Sequence, residues 1–444
     1  MSQITVTLIL TGSATIAFLV VASARRRKMF HGAWDASSNY IMIMAWLLLI
    51  PSAYVQFTGG VPKIIDALGL VVAVPDSRVA QLNQLVALAV ALVGIFTFVR
   101  GLIRRQPVYT PPLLAALLVM LTDLSSAFAG ASTPGNPRII ALVALFVGAS
   151  VLPRGKGARL GVAAVGLSVA MVSGLLIAVD YSAAFRYCRA DKCGPLGNLF
   201  FGVTTGENVL GLILVSTIPA VFLAFKGRYR WTLSAYLVLV TYWGGSRTAL
   251  QAGLVIAAVI FLTRISVDRR AGGRTKLVVY GSALAGIAVG VVLPYLPLDS
   301  SAFTNRAYLW KLAREQIGQS EVMSYGALQW GNQVAYGAIT RDEAYSVHNQ
   351  WLDIRYTAGA LGIAVFMCVV IVALSKVAKG HGSTAMFLFL PVIFTGIFER
   401  TWAFGLLDVW GWMCAATLLS LEQRRIEKDE PRPLMAMTRH AMKT

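Results

Sequence analysis

A chain of 444 residues with 57% hydrophobic and 13% charged side chains, and a mean hydropathy of +0.68, is too apolar for a soluble multidomain protein. Its 39 Lys and Arg against 20 Asp and Glu leave a formal charge of +19, so the first question is where the basic residues lie. A closed β-barrel is excluded, because barrel strands alternate apolar and polar positions and the apolar runs here are continuous.

Crossing about 30 Å of hydrocarbon takes about 20 apolar residues. In chain order such runs fall near 4–24, 38–56, 79–99, 111–129, 138–152, 158–180, 203–225, 231–243, 246–263, 277–297, 358–375, 384–398 and 404–421. They predict an all-α polytopic membrane protein with 12–13 transmembrane helices and one long periplasmic loop containing short helices. The first run is followed by its positive charge, the reverse of a secretory signal, and reads as an uncleaved helix with its N-terminus outside. The stretch 62–75, with Lys63, Asp66 and Pro75, reads as re-entrant or interfacial. The chain divides into N-terminal helices over 1–297, the large loop at 298–357, C-terminal helices at 358–421 and a charged tail at 422–444.

Sorting the charges by connection sets the orientation. The segments around Arg25–Lys28, Arg100–Arg105, Arg154–Arg159, Lys226–Arg230, Arg264–Lys276, Lys376–Lys379 and the tail hold 26 of the 39 basic residues. The positive-inside rule makes these cytoplasmic, together with the C-terminus. With six acidic residues on that side and fourteen elsewhere, the two sides carry about +20 and −1. Basic residues scattered over seven short segments, with no aromatic platform, do not form a nucleic-acid surface. Cys368 and Cys414 fall inside spans, while Cys188 and Cys193 share an outward connection and suit either a small disulfide or a free pair.

The outward connection 298–357 stands apart by its length, and long loops in compact folds tend to be functional. It opens at Asp299 and predicts a helix over 304–319, whose Phe303, Ala307, Trp310 and Ile317 form a stripe suited to the membrane surface. Arg306, Trp310 and Arg314 are four apart and share one face; the plain alternative for the arginines is snorkelling around an interfacial Trp. The loop closes with Tyr345-Ser346-Val347-His348-Asn349, and His348 is the one outward histidine of four. With a reference pKa of about 6.5, histidine is readily neutral and basic at working pH. A helix starting near Ser346 places His348 in its first turn, where the dipole favours the neutral ring; the alternative is a histidine that merely hydrogen-bonds a helix start. Earlier in the chain Gly244-Gly245-Ser246-Arg247 puts an arginine at an outward helix junction, an expensive place unless it snorkels, pairs or lines a wet cavity. Arg186, Arg189 and Lys192 beside the cysteine pair, and Glu207 with Asn208, are weaker candidates that equally fit an ion-paired surface.

The sequence has no HExxH, CxxC, GxxxxGK[ST] or Rossmann fingerprint. It has no spaced outward carboxylate pair to hold a divalent cation, Asp342-Glu343 being adjacent. No metal and no cofactor are expected. The outward His348-Asn349 followed by Leu352, Gly359 and Gly362, the Ser246-Arg247 junction and Arg306-x-x-x-Trp310 together resemble the O-antigen ligase and Wzy-type polymerase superfamily of bacterial membrane glycosyltransferases.

The resemblance implies transfer of a glycan from undecaprenyl diphosphate, on the periplasmic side of the inner membrane, to a hydroxyl of lipid A–core. It implies His348, Arg247 and Arg306 as catalytic residues. Substrate contacts are expected from Arg186, Arg189, Asn349, Tyr345, Trp310 and Arg314. A sugar hydroxyl is a poor nucleophile, so a histidine base supplies what it lacks, and guanidinium groups meet the charge of the departing diphosphate without Mg²⁺. A single displacement inverts the anomeric centre, and no outward carboxylate stands out as a covalent nucleophile. The alternatives are a polymerase joining donor to donor, a protein O-oligosaccharyltransferase, whose relatives often carry a longer C-terminal portion, and, from another class, a transporter or flippase. Transporters place ionisable groups near the midplane, whereas Asp123, Glu399 and Asp408 here lie near predicted outer ends.

Overall fold

The computed structural model describes residues 2–58, 63–65, 71–73, 77–131, 136–188, 192–263, 265, 272–319, 324–333, 337, 339, 346–405 and 407–422. Within them the chain forms α1 (Gln3–Arg26), α2 (Ala36–Phe57), α3 (Ser77–Ile103), α4 (Thr110–Phe128), α5 (Pro137–Ala149), α6 (Lys156–Val179) and the single turn α7 (Tyr181–Ala184). These are followed by α8 (Glu207–Ala224), α9 (Gly227–Gly244), α10 (Arg247–Thr263), α11 (Gly273–Val292), α12 (Arg306–Gln319), α13 (Gly326–Asn332), α14 (Gln350–Ser375), α15 (Gly382–Thr395) and α16 (Gly411–Ser420). Two small antiparallel hairpins pair β1 (Lys63–Ile65) with β2 (Val71–Ala73) and β3 (Phe185–Arg186) with β4 (Leu199–Phe200).

Each predicted apolar run coincides with a helix. Eight, namely α1, α2, α3, α4, α6, α8, α11 and α14, are long and apolar enough to cross a membrane, and α5, α10, α15 and α16 are shorter apolar helices. This is a helical multi-pass membrane protein. Several bounds differ from expectation: 203–225 starts only at Glu207, and 404–421 shortens to α16. The hairpin β1–β2 falls within the stretch read as re-entrant or interfacial; the rest of that stretch and the tail from 423 lie outside the described residues.

The layering follows from which helices are apolar all round. On α8 an 83% buried window meets protein on every side, with α6, α9, α10 and α15 packed around it. By contrast α1, α3 and α11 expose Leu8, Phe96 and Leu284 on outer faces that suit lipid. Small residues set the closest approaches: a Cβ on Gly94 of α3 would sit 2.3 Å from the Ala144 carbonyl oxygen of α5.

Hydrogen bonds sort the connections into two ends. At one, the Met29 carbonyl accepts from Lys226 N–H, the Leu419 carbonyl from Gly155 N–H, and the Glu422 carbonyl from Ala378 N–H. There Arg159, almost fully buried, donates to the Ser420 carbonyl and pairs with Glu422 at 3.2 Å. These are the basic connections. The β3–β4 hairpin and the junctions before α8, α10, α12 and α14 gather at the other end, as the contacts below establish.

The segment 298–357 contributes α12, α13 and the start of α14. The apolar stripe of α12 does not face a membrane surface as expected. Leu309, Trp310 and Ala313 pack with Trp330, Val347 and Tyr356 in a second core, because α13 and α14 cover that face. α14 is broken at Gly359, whose φ of 68° and ψ of −164° are accessible essentially to glycine alone. The break separates a short leading helix from the membrane helix and accounts for the glycine at that position.

Candidate active site

The last residues before α14 carry the centre of the site. Asn349 caps the helix: its Oδ1 accepts from Leu352 N–H at 2.9 Å, and its Nδ2 donates to the carbonyls of Gly290 at 2.9 Å and Ile397 at 3.0 Å. Because Asn349 takes the cap, α14 starts at Gln350 and not near Ser346, and His348 sits outside the first turn. Its backbone is left-handed, with φ 58°. That conformation costs a residue with a Cβ about 1–2 kcal/mol. It is held by the His348 N–H donating to Ser346 Oγ at 3.1 Å and by Trp310 Nε1 donating to the His348 carbonyl at 3.3 Å.

The imidazole meets a carboxylate that the sequence had placed only near an outer end. Glu399 is fully buried, and its Oε2 lies 3.0 Å from His348 Nδ1. Its Oε1 accepts from an Nη atom of Arg306 and, at 3.4 Å, from Asn208 Nδ2. An ionised carboxylate only accepts, so in the neutral imidazole this contact keeps the proton on Nδ1 and leaves Nε2 as the acceptor. Glu399 is positioned by α14 itself: Gln350 Nε2 donates to the Trp402 carbonyl at 2.9 Å, and Trp402 N–H donates back to Gln350 Oε1 at 2.8 Å. Beside it, Arg400 pairs with Asp353 of α14 at 3.9 Å and with Asp408 at 3.3 Å.

Arg306 reaches this centre because three successive residues before α12, Phe303, Thr304 and Asn305, are left-handed, with φ of 55°, 62° and 65°. They turn the chain so that α12 begins at Arg306, two residues later than predicted. The second Nη of Arg306 donates to Thr248 Oγ1 at 3.3 Å, in the first turn of α10. The shared helix face reads out as three different jobs. Arg306 binds Glu399, Trp310 holds the His348 carbonyl, and Arg314 donates to the Pro294 carbonyl and lies 5.7 Å from the Tyr295 ring.

Asn208 extends the network across the molecule. Its Oδ1 accepts from Lys192 Nζ at 2.8 Å and from Ser246 Oγ at 3.0 Å, which turns its amide nitrogen toward Glu399. Buried Glu207 lies between Lys192 Nζ at 2.9 Å and Arg186 at 3.1 Å, and Arg186 also donates to the Thr205 carbonyl. Lys192 arrives on the β3–β4 hairpin, where Cys188 and Cys193 form a disulfide. Arg247 follows Ser246 at the exposed start of α10.

The structure thus joins His348 to Arg306 through Glu399, and Arg186 to the same network through Glu207, Lys192 and Asn208. Trp310 and Asn349 are buried and hold backbone groups, and Arg314 braces the turn after α11. Arg189, Tyr345 and Asp342-Glu343 lie outside the described residues. Sequence reasoning missed Glu399 as a site residue. Its signal was an acid closing an apolar run, in Ile397-Phe398-Glu399-Arg400, where a carboxylate near hydrocarbon calls for a partner. The arrangement is that of a histidine oriented by a carboxylate, with a guanidinium beside both. No family model, curated protein or solved structure matches the chain.

Proposed function

We propose that the chain is an O-antigen ligase, an inverting, metal-independent glycosyltransferase of the bacterial inner membrane that passes a glycan from undecaprenyl diphosphate to lipid A–core. The observation that carries the reading is the buried His348–Glu399–Arg306 cluster at the end of the molecule opposite the basic connections. The positive-inside rule then places the site on the periplasmic face and the C-terminus in the cytoplasm.

In this reading Nε2 of His348 takes the proton from the acceptor hydroxyl as its oxygen attacks the anomeric carbon. Glu399 holds the ring in the tautomer that leaves Nε2 basic and stabilises the imidazolium that forms. The departing diphosphate accumulates negative charge as the glycosidic bond breaks. Arg247 at the rim and Arg306 beside the base offer guanidinium hydrogen bonds to it, with Arg186 further along the network. The N-termini of α8, α10 and α14 converge on the same region and add positive potential.

Purified protein reconstituted with an undecaprenyl-diphosphate glycan, in EDTA, tests the reading. Glycan appearing on lipid A–core is the expected result. Elongated donor chains identify a polymerase instead, glycan on a Ser- or Thr-bearing protein identifies an oligosaccharyltransferase, and loss of all transfer in EDTA overturns the metal-free mechanism.

A further inference from the structure

At the opposite end of the molecule a groove of about 710 Å³ runs between α2, α3 and the turn after α5. Its lower wall is apolar, with Ile43 on α2 and Leu92 and Phe96 on α3. Its mouth is polar, with Arg100 on α3, Arg104 just past its end, where its N–H still donates to the Arg100 carbonyl, and Asn39 on α2. The α3 wall follows helical spacing: Phe96, Arg100 and Arg104 are successive i, i+4 positions, so the two guanidinium groups stand one turn apart above the apolar floor. From Leu92 to Arg104 is twelve residues, or about 18 Å at 1.5 Å per residue. One leaflet of hydrocarbon is about 15 Å deep, half of the ~30 Å core. The groove therefore has the length of one leaflet, apolar along its depth and cationic at headgroup level.

Two details make this mouth more than a pair of snorkelling arginines. Exposed Trp34 donates from Nε1 to Asn39 Oδ1 at 2.7 Å, which fixes the amide so that its N–H₂ is the group left to donate into the groove. Trp at this depth also marks the interfacial level. On the facing side Gly101 packs against Val151, where a Cβ would come within 2.5 Å of a methyl group. That contact fixes α3 against the turn after α5 and sets the width of the groove.

We propose that this groove is a binding site for an anionic glycerophospholipid, with one acyl chain along Ile43, Leu92 and Phe96 and the phosphodiester between Arg100, Arg104 and the Asn39 amide. Basic pockets between membrane helices recognise such headgroups through guanidinium forks and the local positive potential. A zwitterionic lipid fits the apolar floor equally well but brings its own cation to the mouth, so the site discriminates by charge. The proposal does not depend on the catalytic reading.

The test uses the purified full chain and native mass spectrometry, with phosphatidylglycerol and phosphatidylcholine of matched acyl chains. Phosphatidylglycerol is expected to be retained at least ~10-fold more than phosphatidylcholine, about 1.4 kcal/mol of preference. R100Q/R104Q should abolish the preference, while R25Q/R26Q, at the same end but on α1, should leave it intact. Ile43→Trp, which fills the floor and keeps both arginines, should lower retention of both lipids. Equal retention of the two lipids by the wild type overturns the proposal, as does a preference that survives R100Q/R104Q or disappears equally in R25Q/R26Q. Inorganic phosphate competing as well as the lipid also overturns it, since the site would then be one for free phosphate.

Discussion

His348 shows how one residue's role depends on atoms that its own sequence neighbourhood does not contain. Its side chain was singled out as a candidate base because it was the one histidine of four in a connection read as outward, but the carboxylate that orients its ring is Glu399, 51 residues later in the chain. His348→Ala is expected to reduce transfer by about 10²–10⁴-fold with unchanged protein in the membrane. Glu399→Gln is the sharper test. A Gln amide turned to donate to Nδ1 moves the ring proton to Nε2 and removes the base, so the turnover number should fall by a similar factor while donor affinity changes little. Wild-type turnover in Glu399→Gln would remove the carboxylate from the mechanism. For Arg306→Lys a loss of at least ~10-fold is expected, because the single nitrogen of the shorter Lys does not reproduce the planar guanidinium fork that reaches Glu399 and Thr248 through separate Nη atoms. Normal rates there would reduce Arg306 to an ion-pair partner of the buried acid.

At the level of elements, the network depends on short pieces fixed by local chemistry. The hairpin β3–β4 delivers Lys192 to Glu207 and Asn208, and the disulfide closes the turn that carries it. Cys188→Ser/Cys193→Ser, or treatment of the wild type with a phosphine reductant, is expected to lower transfer several-fold. The double variant should be insensitive to reductant; activity unchanged by both treatments would detach the hairpin from the site. Gly359 is the other fixed point. Gly359→Ala forces a Cβ into a glycine-only backbone region and should cost about 1–3 kcal/mol, read as a lowered melting temperature in detergent. An unshifted melting temperature would mean that α14 simply straightens. The glycine was visible in the sequence as part of a motif, and the apolar run was placed from 358, but that the leading helix and the membrane helix meet at a break on Gly359 is shown only by its backbone angles. The start of α14 was misplaced for a related reason: Ser346 and Asn349 are both good caps, and tertiary bonds from Asn349 to Gly290 and Ile397 decide between them.

The whole molecule has one basic end and one end that carries the buried acid–base network. If the charge asymmetry sets the topology, the two ends lie on opposite sides of the membrane. In a C368A/C414A background, a cysteine introduced at Gly197 should react with a membrane-impermeant maleimide from the periplasm, and one at Lys379 should react only after the inner membrane is opened. Labelling of both from one side, or in the reverse order, would overturn the orientation and with it the periplasmic site. With that orientation, the +19 of the chain would bear on function through topology and, by the proposed lipid groove, through headgroups near Arg100 and Arg104.

What the sequence determined by itself was the place of the apolar runs that become helices and the connections in which basic residues gather. Both are one-dimensional quantities: hydrocarbon thickness fixes the length of a run, and charge is counted connection by connection. It also marked His348, Arg306 and Arg247, since each is a polar group in an uncommon setting. Only the tertiary structure decided that Glu399, Asn208 and Lys192 join His348 and Arg306. A buried carboxylate is tolerable wherever donors surround it, and the donors come from α8, α12 and the turns before α8 and α14, which the chain separates by up to about two hundred residues.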